Sequence, residues 1–192
     1  MNCRYKFCSG KTCGEAAWNN SGYCILHTEL PHDTETPEFR RILAEKDKRI
    51  KEKIENNDFN FEGAHLAVID LSRMRIAMGL NFRRAVISEK ARFSNAEIAG
   101  NVLFEDAVVR GSMWFEKATI DGSVLCERVT IDGSVWFGEA TIRGSVDFEK
   151  ASIHGQAEFS DASIGGNLEF VDAQIGRDAT FYKASIGQDV MF

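Results

Sequence analysis

The sequence predicts a mainly β protein: a solenoid of short stacked coils, preceded by one α-helix and a small metal-stabilised head. Three observations lead there. From Leu71 to Phe192 the chain keeps an eleven-residue phase, F-x-x-A-x-I-x-G-x-V-x, after a first unit from Phe61 that is one residue short, and a fixed period of this kind marks a repeat architecture. Within each unit apolar residues alternate with polar ones, the period-two signature of half-buried strands. Ahead of the repeat, four of the five cysteines fall within the first 24 residues, and His27 follows them.

The head, residues 1–30, reads CRYKFCSGKTCGEAAWNNSGYCILH from Cys3 to His27. Cys24-x2-His27 is a tight ligand pair, and any of Cys3, Cys8 and Cys13 can complete a tetrahedral site of thiolates and imidazole. Zinc is the first expectation for such a donor set. A segment this small needs the ion in order to fold. Four protein seats leave no open position for catalysis. The N-terminus has no apolar h-region of a signal peptide. No apolar run of 18 residues is long enough to span a membrane. The expected compartment is therefore cytoplasmic, where thiols stay reduced.

Residues 31–57 are expected to form a linker and a capping helix. Thr36 can cap the first free amides, Pro37 suits the first helical position, and Glu38 favours the positive end of the dipole. The helix is expected to run to about Asn56. Phe39, Leu43, Ile50 and Ile54 lie near one stripe, with Ile42 beside it. Glu45–Arg49 and Asp47–Lys51 have the spacing of i,i+4 pairs. Such a helix is placed to cover the irregular first coil, because solenoid ends need caps.

Residues 58–192 carry the repeat. With Phe as position one, that place is taken by Leu71, Phe82, Phe93 and so on in steps of eleven to Phe192, with Cys126 as the single thiol. Position four is mostly Ala, position six Ile, and position ten a small or medium apolar residue such as Val124 or Val135. Each unit reads as two strands, five and six residues long. Glycine recurs at position eight, from Gly100 to Gly166. There it is expected to supply the positive φ of a corner. The 14 Phe, against 3 Tyr and 3 Trp, suit a core, since a phenyl ring has no polar group needing a partner. Val129 replaces the usual Ala in the unit of Cys126, so methyls gained at position four partly compensate the ring lost at position one. Cys126 is expected to be buried and inert.

This repeat resembles the pentapeptide-repeat family, in its variant with alternating five- and six-residue steps. The resemblance implies a right-handed, four-sided β-helix with 22 residues per coil, whose inward residues include Ala118, Ile120, Val124 and Cys126. The family's usual Asp or Asn between inward residues is here Thr119, Thr130, Thr141, Ser152 or Ser163. About six coils at ~4.8 Å each would rise roughly 29 Å. Residues 22 apart then stack, giving two buried ladders at position one. Phe93, Phe115, Phe137, Phe159 and Phe181 form one; Phe82, Phe104, Cys126, Phe148, Phe170 and Phe192 form the other. The head resembles a small Cys/His module that precedes such repeats in some prokaryotic proteins. That resemblance assigns Cys3, Cys13, Cys24 and His27 as ligands and leaves Cys8 as the surplus thiol or an alternative ligand.

Function is less legible. No repeated His, Asp or Glu geometry suggests catalysis, and His65 and His154 are isolated. Position eleven should point outward, yet it holds Leu103, Trp114, Leu125 and Trp136 in the middle of the chain. Stacking would set Trp114 beside Trp136 and Leu103 beside Leu125, an apolar surface of the kind partners use. The reading is a non-enzymatic scaffold for protein–protein interaction with a structural zinc head. Net charge is −6 overall, but residues 93–192 carry 7 basic and 16 acidic residues, a net of −9. Some pentapeptide-repeat proteins are acidic DNA mimics that act on type II topoisomerases, which gives one alternative by fold-level analogy. A zinc-dependent nucleic-acid binder is another, disfavoured by the charge. The repeat reaches Phe192 in phase with no polar cap, so either a homodimer forms through that coil or the sequence continues. A longer parent could link the chain to a membrane.

Overall fold

The computed structural model describes residues 1–19 and 21–192. Asn20, inside the expected head, lies outside the described residues. From His65 onward the chain winds into four parallel sheets of six strands each. From Ile69 onward every strand pairs with the one 22 residues away: Trp114 with Trp136, Thr119 with Thr141, Val124 with Val146, Thr130 with Ser152. His65 pairs with Val86, 21 residues away, because the first unit is one residue short. Four sheets and a 22-residue register make each coil four-sided, so one eleven-residue unit supplies two sides.

The strands are shorter than the alternation suggested. Each pairs over two residues only, as at Thr119–Ile120 and Val124–Leu125. A turn consumes the remainder: the amide of position four donates to the carbonyl of position one, as in Ala118 to Phe115 at 2.9 Å and Val129 to Cys126 at 3.1 Å. The left-handed residue of that turn is position three, with φ of 58° at Lys117 and 57° at Arg128. The glycines of position eight therefore do not serve the expected positive φ. They serve close approach. A Cβ on Gly133 would stand 2.7 Å from the carbonyl carbon of Gly111, and one on Gly122 would stand 2.6 Å from the amide of Asn101. Successive coils pass there with no room for a side chain.

The core fills the bore with side chains. Phe93, Phe115, Phe137 and Phe159 are fully buried and stack at 4.7–4.9 Å between ring centres. Phe82 and Phe104 begin the second ladder at 4.9 Å, and Phe148 and Phe170 resume it at 5.4 Å beyond Cys126. The two ladders meet edge to face, as Phe137 meets Phe148 at 6.2 Å and 82°. Each ring contributes about 2–3 kcal/mol by leaving water, and a well-placed aromatic pair adds about 1 kcal/mol. Exposed pairs between coils, such as Arg143–Asp121 at 2.9 Å, contribute only a few tenths of a kcal/mol each. The ladders hold the solenoid.

The helix spans Pro37–Glu55, and Thr36 Oγ1 accepts the Phe39 amide at 3.1 Å. Its buried face is Ile42, Lys46, Ile50 and Lys53. The expected stripe is thus displaced: Phe39, Leu43 and Ile54 are only half-buried. The displacement follows from two lysines drawn inward. Lys46 reaches carbonyls of the head, and the Lys53 ammonium stands 5.6 Å from the Phe61 ring centre. The expected Glu45–Arg49 and Asp47–Lys51 pairs are absent among the described residues. Arg49 binds Glu15 of the head and Glu52 instead.

Head and helix together cover the first coil. Phe61 is buried and stacks on Phe82 at 5.2 Å. The His65 amide donates to Leu26 O at 2.8 Å. Gly63, at φ +68°, lies so close to the Tyr5 ring that a Cβ would fall 2.0 Å from Cζ. At the other end Phe192 is 73% exposed and Val190 44%. No helix among the described residues is long and apolar enough to cross a membrane.

Candidate metal centre and exposed aromatic face

The head builds its cluster from a hairpin and a turn. Antiparallel bridges join Asn2 to Ala16 and Lys6 to Thr12. The Cys3 amide donates to Glu15 O at 2.9 Å and the Cys13 amide to Tyr5 O at 2.8 Å. This pairing brings two cysteines ten residues apart onto one side of the hairpin. Cys8 sits near its tip and is exposed. The second half is a helical turn in which the amides of His27 and Thr28 both donate to Cys24 O, at 3.1 and 3.0 Å. That turn sets Cys24 and His27 side by side.

Cys3, Cys13, Cys24 and His27 converge, all buried, with one donor atom from each within 4.8 Å of the others. His27 Nδ1 lies 3.4 Å from Cys3 Sγ and 3.2 Å from Cys24 Sγ, and Cys13 Sγ lies 3.9 Å from Cys24 Sγ. Thiolates around a tetrahedral ion at about 2.3 Å have edges near 3.8 Å, so the four groups fit a metal ion. The surplus thiol is Cys8, whose backbone amide donates to the Glu62 carboxylate.

Burial pushes the Cys13 thiol up to about 12, with the Cys24 and Cys3 sulfurs adding to it; burial raises Cys24 as well. Without a cation these thiols keep their protons, and a bound cation inverts that preference. Burial holds His27 below the usual imidazole range, hence neutral. Its Nε2 lies 2.9 Å from Glu62 O and donates to it, which leaves Nδ1 free to ligate. Tyr5 stacks on the ring at 4.0 Å.

Two residues that sequence reasoning missed hold this centre. Lys46 is 1% exposed, and its ammonium donates to Ile25 O and Thr28 O at 2.6 Å and to Leu26 O at 3.3 Å. Burial lowers it to about 7. The available signal was its spacing, midway between Ile42 and Ile50 on the apolar phase of the helix. Glu62 is buried in the irregular first unit, where the repeat gives no guidance. It joins head to coil by accepting from the Cys8 amide, from Arg84, and from Asn81 at 3.2 Å.

The outward residues of the middle coils lie as their phase requires. Trp114 is in register with Trp136, and Leu103 with Leu125, on different sheets. All four are half-buried. The Arg92 guanidinium carbon stands 5.4 Å from the Trp114 ring centre, and Arg92 also reaches Asp70 at 3.7 Å. His154 is exposed, 3.5 Å from Asp132, and His65 is half-buried beside the linker. Neither joins a catalytic grouping among the described residues.

A family model described as Pentapeptide repeats (9 copies) matches residues 127–174 and 137–185. That stretch shares its register, turn and ladders with the coils before it. No curated protein matches the chain, and no solved structure does.

Proposed function

We propose that the chain, whose solenoid matches a pentapeptide-repeat family model over residues 127–185, is a non-enzymatic scaffold for a protein partner, with a structural zinc ion in its head. The observation that carries the scaffold reading is the half-buried tryptophan pair, Trp114 beside Trp136, on the outer face of a rigid sheet. A solenoid core needs only its inward positions to be apolar. Indoles at outward positions add contact area that the fold itself does not need, and aromatic rings of this kind anchor interfaces.

Zinc is the assignment for the head. Three sulfurs and one imidazole nitrogen are the donors of closed structural sites, and soft thiolates disfavour magnesium and calcium. With four protein donors the ion would have no seat for water or substrate, so its contribution would be to folding. Cys3, Cys13, Cys24 and His27 would hold it.

The test joins two measurements on one preparation. Metal analysis of the purified protein is expected to return one zinc per chain. A pulldown from the source cell with the wild type and with the Trp114→Ser/Trp136→Ser variant is expected to lose a protein in the variant, while the thermal midpoint stays within a few degrees. Recovery of the same proteins by both would refute the scaffold site.

A further inference from the structure

We propose that the sheet bearing Trp114 and Trp136 receives an arginine of an extended partner segment, its guanidinium stacked on Trp136 and paired with Glu158. This rests on the scaffold reading above and names the partner's chemistry. The molecule contains its own precedent one coil away. Arg92 lies over Trp114 at 5.4 Å while reaching the Asp70 carboxylate at 3.7 Å. Indole, guanidinium and carboxylate thus form one unit on this face.

At Trp136 two of the three parts are present. Trp136 is in register with Glu158, as Trp114 is with Trp136. Among the described residues no cation lies over the Trp136 ring, and Glu158 has no basic partner. The carboxylate is already oriented: its Oε1 accepts the Ser160 amide at 2.8 Å. Its other oxygen, Oε2, lies 3.1 Å from where a Cβ on Gly138 would stand. Gly138 occupies a position that is Glu116 one coil earlier and Ser160 one coil later. With no side chain there, the carboxylate leans across a shallow notch at the coil of Trp136.

Charge selects the occupant. Beyond Arg92 the charged residues at the outward positions of this face are Glu116, Glu158 and Asp178, all acidic. Lys117, at the adjoining corner, is engaged by Glu139 at 3.4 Å. A phosphate backbone would be repelled here, whereas a cation is drawn in. Guanidinium suits the notch better than ammonium, because it is planar, stacks on an aromatic face and offers paired donors to one carboxylate.

The test uses the full chain and the indole N–H signals of its tryptophans in NMR, with Trp136 assigned through the Trp136→Phe variant. The probes are N-acetyl-arginine methylamide and its neutral isostere, N-acetyl-citrulline methylamide. The expected result is a saturable shift of the Trp136 signal with the arginine probe, at least about 10-fold weaker binding of the citrulline probe, and about 3- to 10-fold weaker arginine binding in Glu158→Gln. Glu158→Gln keeps the amide acceptor, and an unchanged thermal midpoint confirms its fold. No saturable shift up to about 50 mM arginine probe, equal response to citrulline, or indifference to Glu158→Gln would overturn the proposal. The pulldown separates the two readings. A partner lost with the tryptophans but indifferent to Glu158→Gln leaves the scaffold and removes the arginine; a partner indifferent to the tryptophans removes the scaffold site.

Discussion

At Cys126 one rung of the phenyl ladder is missing, between Phe104 and Phe148, and the thiol is wholly buried. Burial raises it well above the usual thiol range, so it stays protonated and unreactive. Val129, also buried, fills part of the space. Cys126→Phe alone should overpack the rung and cost about 1–3 kcal/mol in chemical denaturation. Combined with Val129→Ala, which restores the usual residues of both positions, it should cost less than the sum of the single changes. Additive effects would refute the compensation. Elsewhere the fine detail was hidden from the sequence. Gly at a fixed phase signalled a corner, but Gly133 is needed because the backbone of Gly111 passes beneath it; a repeat shows that a residue is constrained without showing by what. Gly133→Ala should therefore destabilise by about 2 kcal/mol or more, although alanine tolerates the local φ. Asp147 offers a pH test. Burial raises its carboxyl, and Glu169, Glu149 and Glu105 raise it further. A carboxyl raised in the fold favours stability at low pH and loses that contribution as pH climbs through its range. Asp147→Asn should thus stabilise by a few tenths of a kcal/mol at pH 7 and give no gain well below pH 4, where both side chains are neutral.

The helix was legible at its ends and misread on its face. Thr36, Pro37 and Glu38 act locally, so its start could be read directly. The buried stripe depends on Lys46, whose carbonyl partners lie 18 to 21 residues earlier in the chain, a distance no helical periodicity reports. Those carbonyls belong to the turn that carries Cys24 and His27, so a metal ion held by that turn would be linked to the seating of the helix. Lys46→Met should cost about 2 kcal/mol or more, because buried carbonyls are left without a donor. Chelation of the full chain should speed hydrogen exchange in residues 37–55 and in the first coil around Phe61, while leaving coils near Phe137 protected. Uniform loosening, or none, would refute the linkage. Before chelation the thiol that labels first should be Cys8, the exposed one. Three further thiols should follow once the metal is removed, with Cys126 last.

Across the whole molecule the repeat made the architecture legible, because a phase kept over so many units leaves few ways to stack. The 22-residue register and the two position-one ladders follow from that phase once the four sides per coil implied by the family resemblance are added. The cap was only half foreseen: the helix was expected over the first coil, while the head beneath it depends on Glu62 and Gly63 in the one unit that breaks the repeat. Stability in such a stack is a sum of neighbour terms. Amide exchange should therefore be slowest from about Ala91 to Phe170, where inward side chains are buried, and fastest over residues 175–192, where they are not.

The register also acts as a ruler for insertions and deletions. Removing 22 residues from the middle, such as 140–161, would rejoin every ladder and shorten the rod by one step of about 4.8 Å. Removing eleven would preserve the motif yet turn everything downstream by half a revolution. Had that excision fallen between Trp114 and Trp136, each indole would still look outward, from opposite sides of the rod. In a lineage that gains and loses repeats by recombination, selection for a two-tryptophan surface would therefore be visible as parity: spacers between the pair would change by whole coils and never by half.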